Sequence, residues 1–242
     1  MDCNEDIYNK IINKFWTPNV NVMNKIKTQC ISNNFDKIVE LGPGYKPFEL
    51  SNYVIDIDES YSKLYSEKTF LKANINYETI PRENKFFDYC YSRHTLEDIS
   101  NPFFAFNELV RVSKRGYIET PSPLIEMMKG IDAVETNHRG YIHHRYIVWS
   151  DKDTNTLYFL PKMPIIEYIT IDSNSLQQMH YYANTKPLLW NNYYMWDENM
   201  TPNIIVYGYN SDYDYIDNYA ELLNKCMNKS IEYTNNFFGD CY

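Results

Sequence analysis

Residues 38–58, IVELGPGYKPFELSNYVIDID, decide how the rest of the chain is read. Ile38, Val39 and Leu41 make an apolar strand that runs into a turn holding Gly42 and Gly44. About a dozen residues later a second apolar strand ends in carboxylates, Asp56 and Asp58, alternating as Ile55-Asp56-Ile57-Asp58. In an open parallel sheet, glycines after one strand let backbone approach a ligand, and an acid ending the next strand faces a ribose diol. Strand alternation puts Asp56 and Asp58 on one face, so either acid can serve, the other capping the next segment. The stretch predicts an α/β, doubly wound sheet with a site for an adenosine-bearing cofactor at its carboxyl edge.

Charge narrows the cofactor. Glu40 stands two residues before the first glycine. An anionic group there suits a cationic ligand and opposes a pyrophosphate, which a nicotinamide dinucleotide would bring to this turn. The run Glu40-Leu41-Gly42-Pro43-Gly44-Tyr45-Lys46 resembles the E/D-x-G-x-G-x-G motif I of class I S-adenosylmethionine-dependent methyltransferases. That resemblance implies S-adenosyl-L-methionine as cofactor and a mostly parallel, seven-stranded-type sheet with helices on both faces. It also implies that Glu40 holds the loop and the methionine ammonium end, with Leu41, Gly42 and Gly44 beside the ligand. Lys46 replaces the motif's third glycine, and Pro47 follows. Only eleven residues separate Gly44 from Asp56, so the first crossover helix is expected to shrink to a turn or a loop.

A second block carries the same resemblance. FDYCYSRHTLEDISNPFFAFNELVRVSKRGYIETP, residues 87–121, reads as a fourth strand, a turn, a helix over Pro102 to Val112 and a fifth strand from Tyr117. Gly116 is expected to cap the helix. His94-Thr95-Leu96-Glu97-Asp98 is similar to the H-x-L-E-H turn of these methyltransferases, with Asp98 in place of the second histidine. The ordered set implies further roles: Asp56 and Ile57 at the ribose, Asn74 and Ile75 at the adenine, and the backbone of Ser92 and Arg93 along the methionine part.

The expected organisation is a single domain over residues 1–242. An N-terminal helical segment (1–34) precedes the cofactor-binding half (35–120), a substrate-side insertion (121–165) and C-terminal strands and tail (166–242). Ile7, Ile11, Ile12 and Phe15, then Val22, Met23 and Ile26, predict one or two amphipathic helices broken near Pro18. The insertion carries a β-hairpin, YIVWSDKDTNTLYFLPK, turning at Asp151 to Asn155. Trp190 to Trp196 and Ile204 to Tyr207 are expected to close the sheet as antiparallel strands, and Ile216, Tyr219, Leu222, Leu223 and Met227 to lie on a last helix.

Composition excludes some classes. A net charge of −9 argues against a phosphate backbone as partner. No apolar run is long enough to span a bilayer, and the acidic MDCNEDIYNK start does not read as a signal sequence. The five cysteines are scattered, without a C-x-x-C pair, which predicts reduced thiols in the cytoplasm.

Methyl transfer requires alignment of a nucleophile and, for a hydroxyl, a base. His94 is the first candidate base, with packing or turn-capping as its alternative, and Glu97 is read as its support or as a helix-start acid. His138, Arg139, His143, His144 and Arg145 form a cluster that meets substrate if the insertion folds over the pocket, making His143, or His144 beside it, a second candidate. No metal is expected, because adjacent histidines on a strand face opposite ways. Tyr141, Tyr146, Trp149, Trp190 and Trp196 offer either a sugar-stacking platform or core packing. The reading is O-methylation of a glycan or small metabolite, with a protein or RNA acceptor, or a silent binding module, as alternatives.

Overall fold

The computed structural model describes residues 18–132, 137–211 and 217–239. In chain order its strands are β1 (Ile38–Leu41), β2 (Tyr53–Asp56), β3 (Thr69–Lys72), β4 (Phe87–Arg93), β5 (Ser113–Pro121), β6 (Tyr146–Asp151), β7 (Thr156–Pro161), β8 (Asn191–Trp196) and β9 (Asn203–Val206). The helices are α1 (Val20–Ser32), α2 (Pro102–Val112), α3 (Pro123–Met127), α4 (Ser173–Thr185) and α5 (Asp217–Phe238), with short 3-10 turns between some of them.

Six strands form the main sheet in the order β3-β2-β1-β4-β5-β8. The first five run parallel, and β8 lies antiparallel on β5. Chain direction across the sheet reverses between β1 and β4, and the crevice outside that point is where such sheets hold ligands. Residues 42–52 cross from β1 to β2 as a loop without helix, as the short spacing predicts. Gly42 N–H to the Ile55 carbonyl and Asn52 N–H to the Ile38 carbonyl, both 3.0 Å, tie the loop across the strands.

The helix over Pro102–Val112 matches its predicted bounds, with Asn101 Oδ1 accepting from the Phe104 N–H at 3.1 Å as N-cap. Its end does not. The chain passes straight into β5 at Ser113, and Gly116 lies within that strand rather than capping the helix. The reason is packing: a Cβ on Gly116 would sit 2.1 Å from the Trp196 ring.

Among the described residues the main sheet has six strands, close to the seven-stranded type expected. The predicted hairpin forms, with Asp151 opposite Thr156, but β9 joins it parallel to β7 in a separate three-stranded sheet, β6-β7-β9. Ile204 to Tyr207 therefore does not close the main sheet antiparallel. Packing explains the departure: Val148, Leu157, Phe159, Ile204 and Val206 share one apolar cluster with Phe106 and Leu109 of α2. On the opposite side of the main sheet, Val22, Ile26 and Cys30 of α1 pack with Tyr89, Tyr91, Tyr117 and Tyr193, and with Tyr233 of α5. Of the predicted N-terminal helices, α1 is described, while Ile7, Ile11, Ile12 and Phe15 lie outside the described residues, as does Ile216, expected on the last helix.

Candidate active site

The carboxyl end of β1 is shaped by two left-handed glycines, Gly42 (φ 63°) and Gly44 (φ 56°). A Cβ on Gly42 would lie 2.4 Å from Thr95 Oγ1, so the turn after β4 closes over this position. A Cβ on Gly44 would meet nothing within 4 Å. Gly44 thus fronts open space, while the Tyr65 hydroxyl donates to its carbonyl from behind. Asp56 ends β2 half-buried at the same edge. Its Oδ1 accepts the Asp58 N–H at 2.9 Å, leaving Oδ2 without a hydrogen bond among the described residues. Asp58 caps the following 3-10 turn through the Ser60 N–H, at 2.9 Å, which leaves Asp56 as the acid for a diol. Ile57 stays exposed beside it.

Glu40 behaves differently from its sequence expectation. Its carboxylate is buried and accepts from the Phe48 N–H (2.7 Å) and Ser51 Oγ (3.1 Å) within the loop. Burial pushes it up to about 7, against the pull of those two donors and of Lys68. It holds the loop, and near neutral pH it is not the fixed anion expected to oppose a pyrophosphate. Asn74 is also committed. Its Oδ1 accepts from both the backbone and the side-chain nitrogen of Asn76, at 3.2 and 2.9 Å, so both lone pairs are occupied in this arrangement. Ile75 sits in the core.

At the end of β4, Ser92 is buried with no partner for its Oγ among the described residues. The Arg93 side chain turns to Glu119 of β5, with Nε 2.9 Å from Oε1. Glu119 is buried and also receives the Tyr117 hydroxyl and Asn191 Nδ2, the latter at 2.8 Å. Burial would raise Glu119, but the Arg93 charge, His94 and Tyr117 together lower it to about 2. His94 follows in a left-handed conformation (φ 51°), uncommon for a residue with a Cβ. Its Nδ1 is 3.4 Å from Glu97 Oε1 and its Nε2 3.6 Å from Glu119 Oε1. Glu97 supports His94, then, and is in a turn rather than starting a helix.

The insertion folds back onto this edge. The Arg145 N–H donates to the Glu97 carbonyl and its Nε to the Asp98 carbonyl, both at 2.9 Å, and the Tyr146 hydroxyl reaches the Ser100 carbonyl. His143 and His144 lie at a turn, not on a strand, with ring centroids 4.4 Å apart. The expectation that they face opposite ways is therefore corrected. His144 is buried, its Nδ1 2.6 Å from Glu126 Oε1, and Glu126 Oε2 in turn holds Lys162 Nζ at 2.7 Å. Burial works against the charge on His144, but the Glu126 contact raises its pKa.

Other members of the cluster are structural. Arg139 donates to the carbonyls of Met127, Ile166 and Ile169 and so staples the insertion. The sugar platform does not form: Trp149 stacks on Tyr158 inside the protein, and Tyr141, Trp190 and Trp196 are buried. Sequence reasoning missed Glu119 and Glu126. An acid in the otherwise apolar Tyr117-Ile118-Glu119 at a strand's carboxyl edge was a usable signal. Glu126, whose partners come from 18 and 36 residues away, offered none.

The residues at the edge fit an adenosine-bearing cofactor: open space at Gly44, a free carboxylate oxygen on Asp56 and an unpartnered buried hydroxyl on Ser92. Residues 41–118 match the methyltransferase domain family. This stretch runs from the last residue of β1 through most of β5, and the methyltransferase domain implies S-adenosylmethionine as the cofactor. The chain is similar to solved S-adenosylmethionine-dependent methyltransferases from Mesorhizobium loti and Aquifex aeolicus, each at 21% identity. The first likeness covers 37% of this chain and 48% of that one (TM-score 0.32), the second 39% and 63% (TM-score 0.29). The chain spans about half the length of the solved structures it matches first. No curated protein matches it. None of the described helices is long and apolar enough to cross a membrane.

Proposed function

We propose that this chain is an S-adenosylmethionine-dependent O-methyltransferase acting on a hydroxyl of a small metabolite or glycan in the cytoplasm. The observation that carries the reading is the corner made by Gly44, which fronts open space, and Asp56, which ends the neighbouring strand with one oxygen free. An S-adenosylmethionine held there would supply an electrophilic methyl for transfer to the acceptor. The chain's part is to bind the nucleoside, exclude water, bring the acceptor oxygen in line and take its proton. Asp56 binds the ribose hydroxyls, and the Gly42–Gly44 backbone clears the approach. His94 and His143 are the two imidazoles proposed for the proton. His94 is held between Glu97 and Glu119, and His143 is exposed on the folded-back insertion.

An oxygen acceptor is favoured because the groups gathered at this edge are carboxylates and imidazoles, suited to hydroxyl hydrogen bonding and deprotonation. The acidic balance disfavours RNA. The buried tryptophans withdraw one argument for a glycan and leave small hydroxylated metabolites the better acceptors.

Calorimetric titration with S-adenosylmethionine tests the reading. Binding is expected, weakened about tenfold or more in Asp56→Ala, the size of a lost bidentate or charge-assisted hydrogen bond. Absence of binding, or preferential binding of a nicotinamide dinucleotide, overturns it. Radiolabelled methyl transfer over hydroxylated metabolites, glycans, peptides and RNA then identifies the acceptor, with His94→Ala and His143→Ala separating the two imidazoles.

A further inference from the structure

Asp98, His143 and His144 each offer one ligand atom, and the three atoms lie within 4.8 Å of one another. The geometry points to a divalent transition-metal site made by these three side chains, beside the proposed methyl-transfer pocket. Two imidazoles and one carboxylate are a donor set for zinc or for manganese, iron or cobalt, with coordination positions left for water or substrate.

Two further observations support a cation here. Among the described residues Asp98 Oδ1 is buried without a hydrogen-bond partner, and so is Oε2 of Glu97, itself 1% exposed, whose Oε1 lies 3.4 Å from His94 Nδ1. Glu97 acts electrostatically on both Asp98 and His144, so it faces the same cluster. Buried carboxylate oxygens without donors are costly, and a bound cation removes that cost. The second observation is the contact behind His144. Its Nδ1 is 2.6 Å from Glu126 Oε1, and Lys162 fixes that carboxylate from the other side at 2.7 Å. A carboxylate on one imidazole nitrogen sets the tautomer and leaves the other nitrogen, Nε2, to a metal. His143 is exposed, so the site is open to solvent on that side.

The sequence reading expected no metal because it assigned the two histidines to a strand; the turn removes that objection. Metal binding itself is independent of the methyltransferase reading. Its role rests on that reading: an ion here would hold the acceptor oxygen and lower the pKa of its hydroxyl, making His143 a ligand rather than a base.

Cobalt(II) titration of the metal-stripped full chain, followed by its visible absorption, tests the proposal. One equivalent is expected to bind, displaced by zinc. Asp98→Ala and His143→Ala, changes at half-buried and exposed positions, are each expected to weaken binding at least tenfold, and Glu126→Gln by about ten- to a hundredfold. His138→Ala, which removes a histidine that is paired with Asp132 and is not one of the three proposed ligands, leaves it unchanged. No stoichiometric binding, or equal affinity in Asp98→Ala, His143→Ala and the parent, overturns the site. S-adenosylmethionine titration on the same samples keeps the two readings apart. Cofactor binding without cobalt binding sinks only the metal site, and cobalt binding without cofactor binding sinks only the methyltransferase.

Discussion

Glu40 and Glu119 are two buried carboxylates at the same edge of the main sheet, one on β1 and one on β5, either side of β4. They are shifted in opposite directions. Burial raises Glu40 to about 7, because its partners are a backbone N–H, a serine hydroxyl and the more distant charge of Lys68. Burial acts on Glu119 as well, yet the Arg93 guanidinium 2.9 Å away, with His94 and Tyr117, brings it down to about 2. Neutral donors do not offset the desolvation of a carboxylate; an adjacent buried cation does. The two acids also give opposite pH dependences. Glu119, lowered in the folded state, contributes stability above its ordinary value of 4.5 that is lost as pH falls from there toward 2. Glu40, raised in the folded state, favours folding while protonated, and that contribution is lost as pH rises from 4.5 through about 7.

Removing the cation is the most direct way to break the contrast. Arg93→Met leaves Glu119 buried without its guanidinium and is expected to cost about 3–5 kcal/mol in urea unfolding at pH 7. The loss should shrink toward pH 3, where Glu119 in the variant takes up a proton. A loss below about 1 kcal/mol would mean that His94, Tyr117 and Asn191 suffice, and that the guanidinium does not set the difference.

Glu40→Gln probes the other side with a smaller effect. The parent is expected to lose about 3 kcal/mol of stability between pH 4.5 and 8 through this residue, while the variant, which has no proton to release, stays flat over that window. Below pH 4.5 the two should unfold at similar urea concentrations. A parallel decline in both would place the pH dependence elsewhere.

The main sheet was legible because its signals are local. Apolar runs bounded by Gly42 and Gly44, an acid at Asp56, and Asn101-Pro102 opening an apolar 3.6-residue pattern each act over a few residues. The hairpin was legible for the same reason, as β-branched and aromatic runs around Asp153-Thr154-Asn155. What was not legible depends on distant partners. Strand β9 reads equally well as a closing strand of the main sheet, and only its packing with Leu157 and Phe159 sends it to the second. Gly116 looks like a cap until Trp196, far along the chain, occupies the room of its absent side chain. At the site, Asp56 was readable from strand alternation, whereas Arg93 and Glu119 pair across 26 residues and Glu126 and Lys162 across 36. The histidine pair was misjudged because facing directions were taken from strand geometry, and residues 142–143 turn instead.

The loop that Glu40 holds supplies the finest test of which corner binds ligand. Gly42 and Gly44 share a left-handed backbone, so alanine at either strains the chain by about 1–2 kcal/mol. Their surroundings differ. An alanine methyl at position 42 also drives into Thr95, whereas at position 44 it enters open space. Gly44→Ala should therefore fold with only the backbone cost of about 1–2 kcal/mol, and Gly42→Ala should lose more. Calorimetric titration separates stability from binding. The methyl of Gly44→Ala stands where the cofactor is proposed to lie, so S-adenosylmethionine affinity should fall further than this modest strain accounts for. Undiminished affinity in a folded Gly44→Ala variant would mean that the nucleoside does not lie over Gly44, and the ligand would have to be sought at the Glu119 side of the edge.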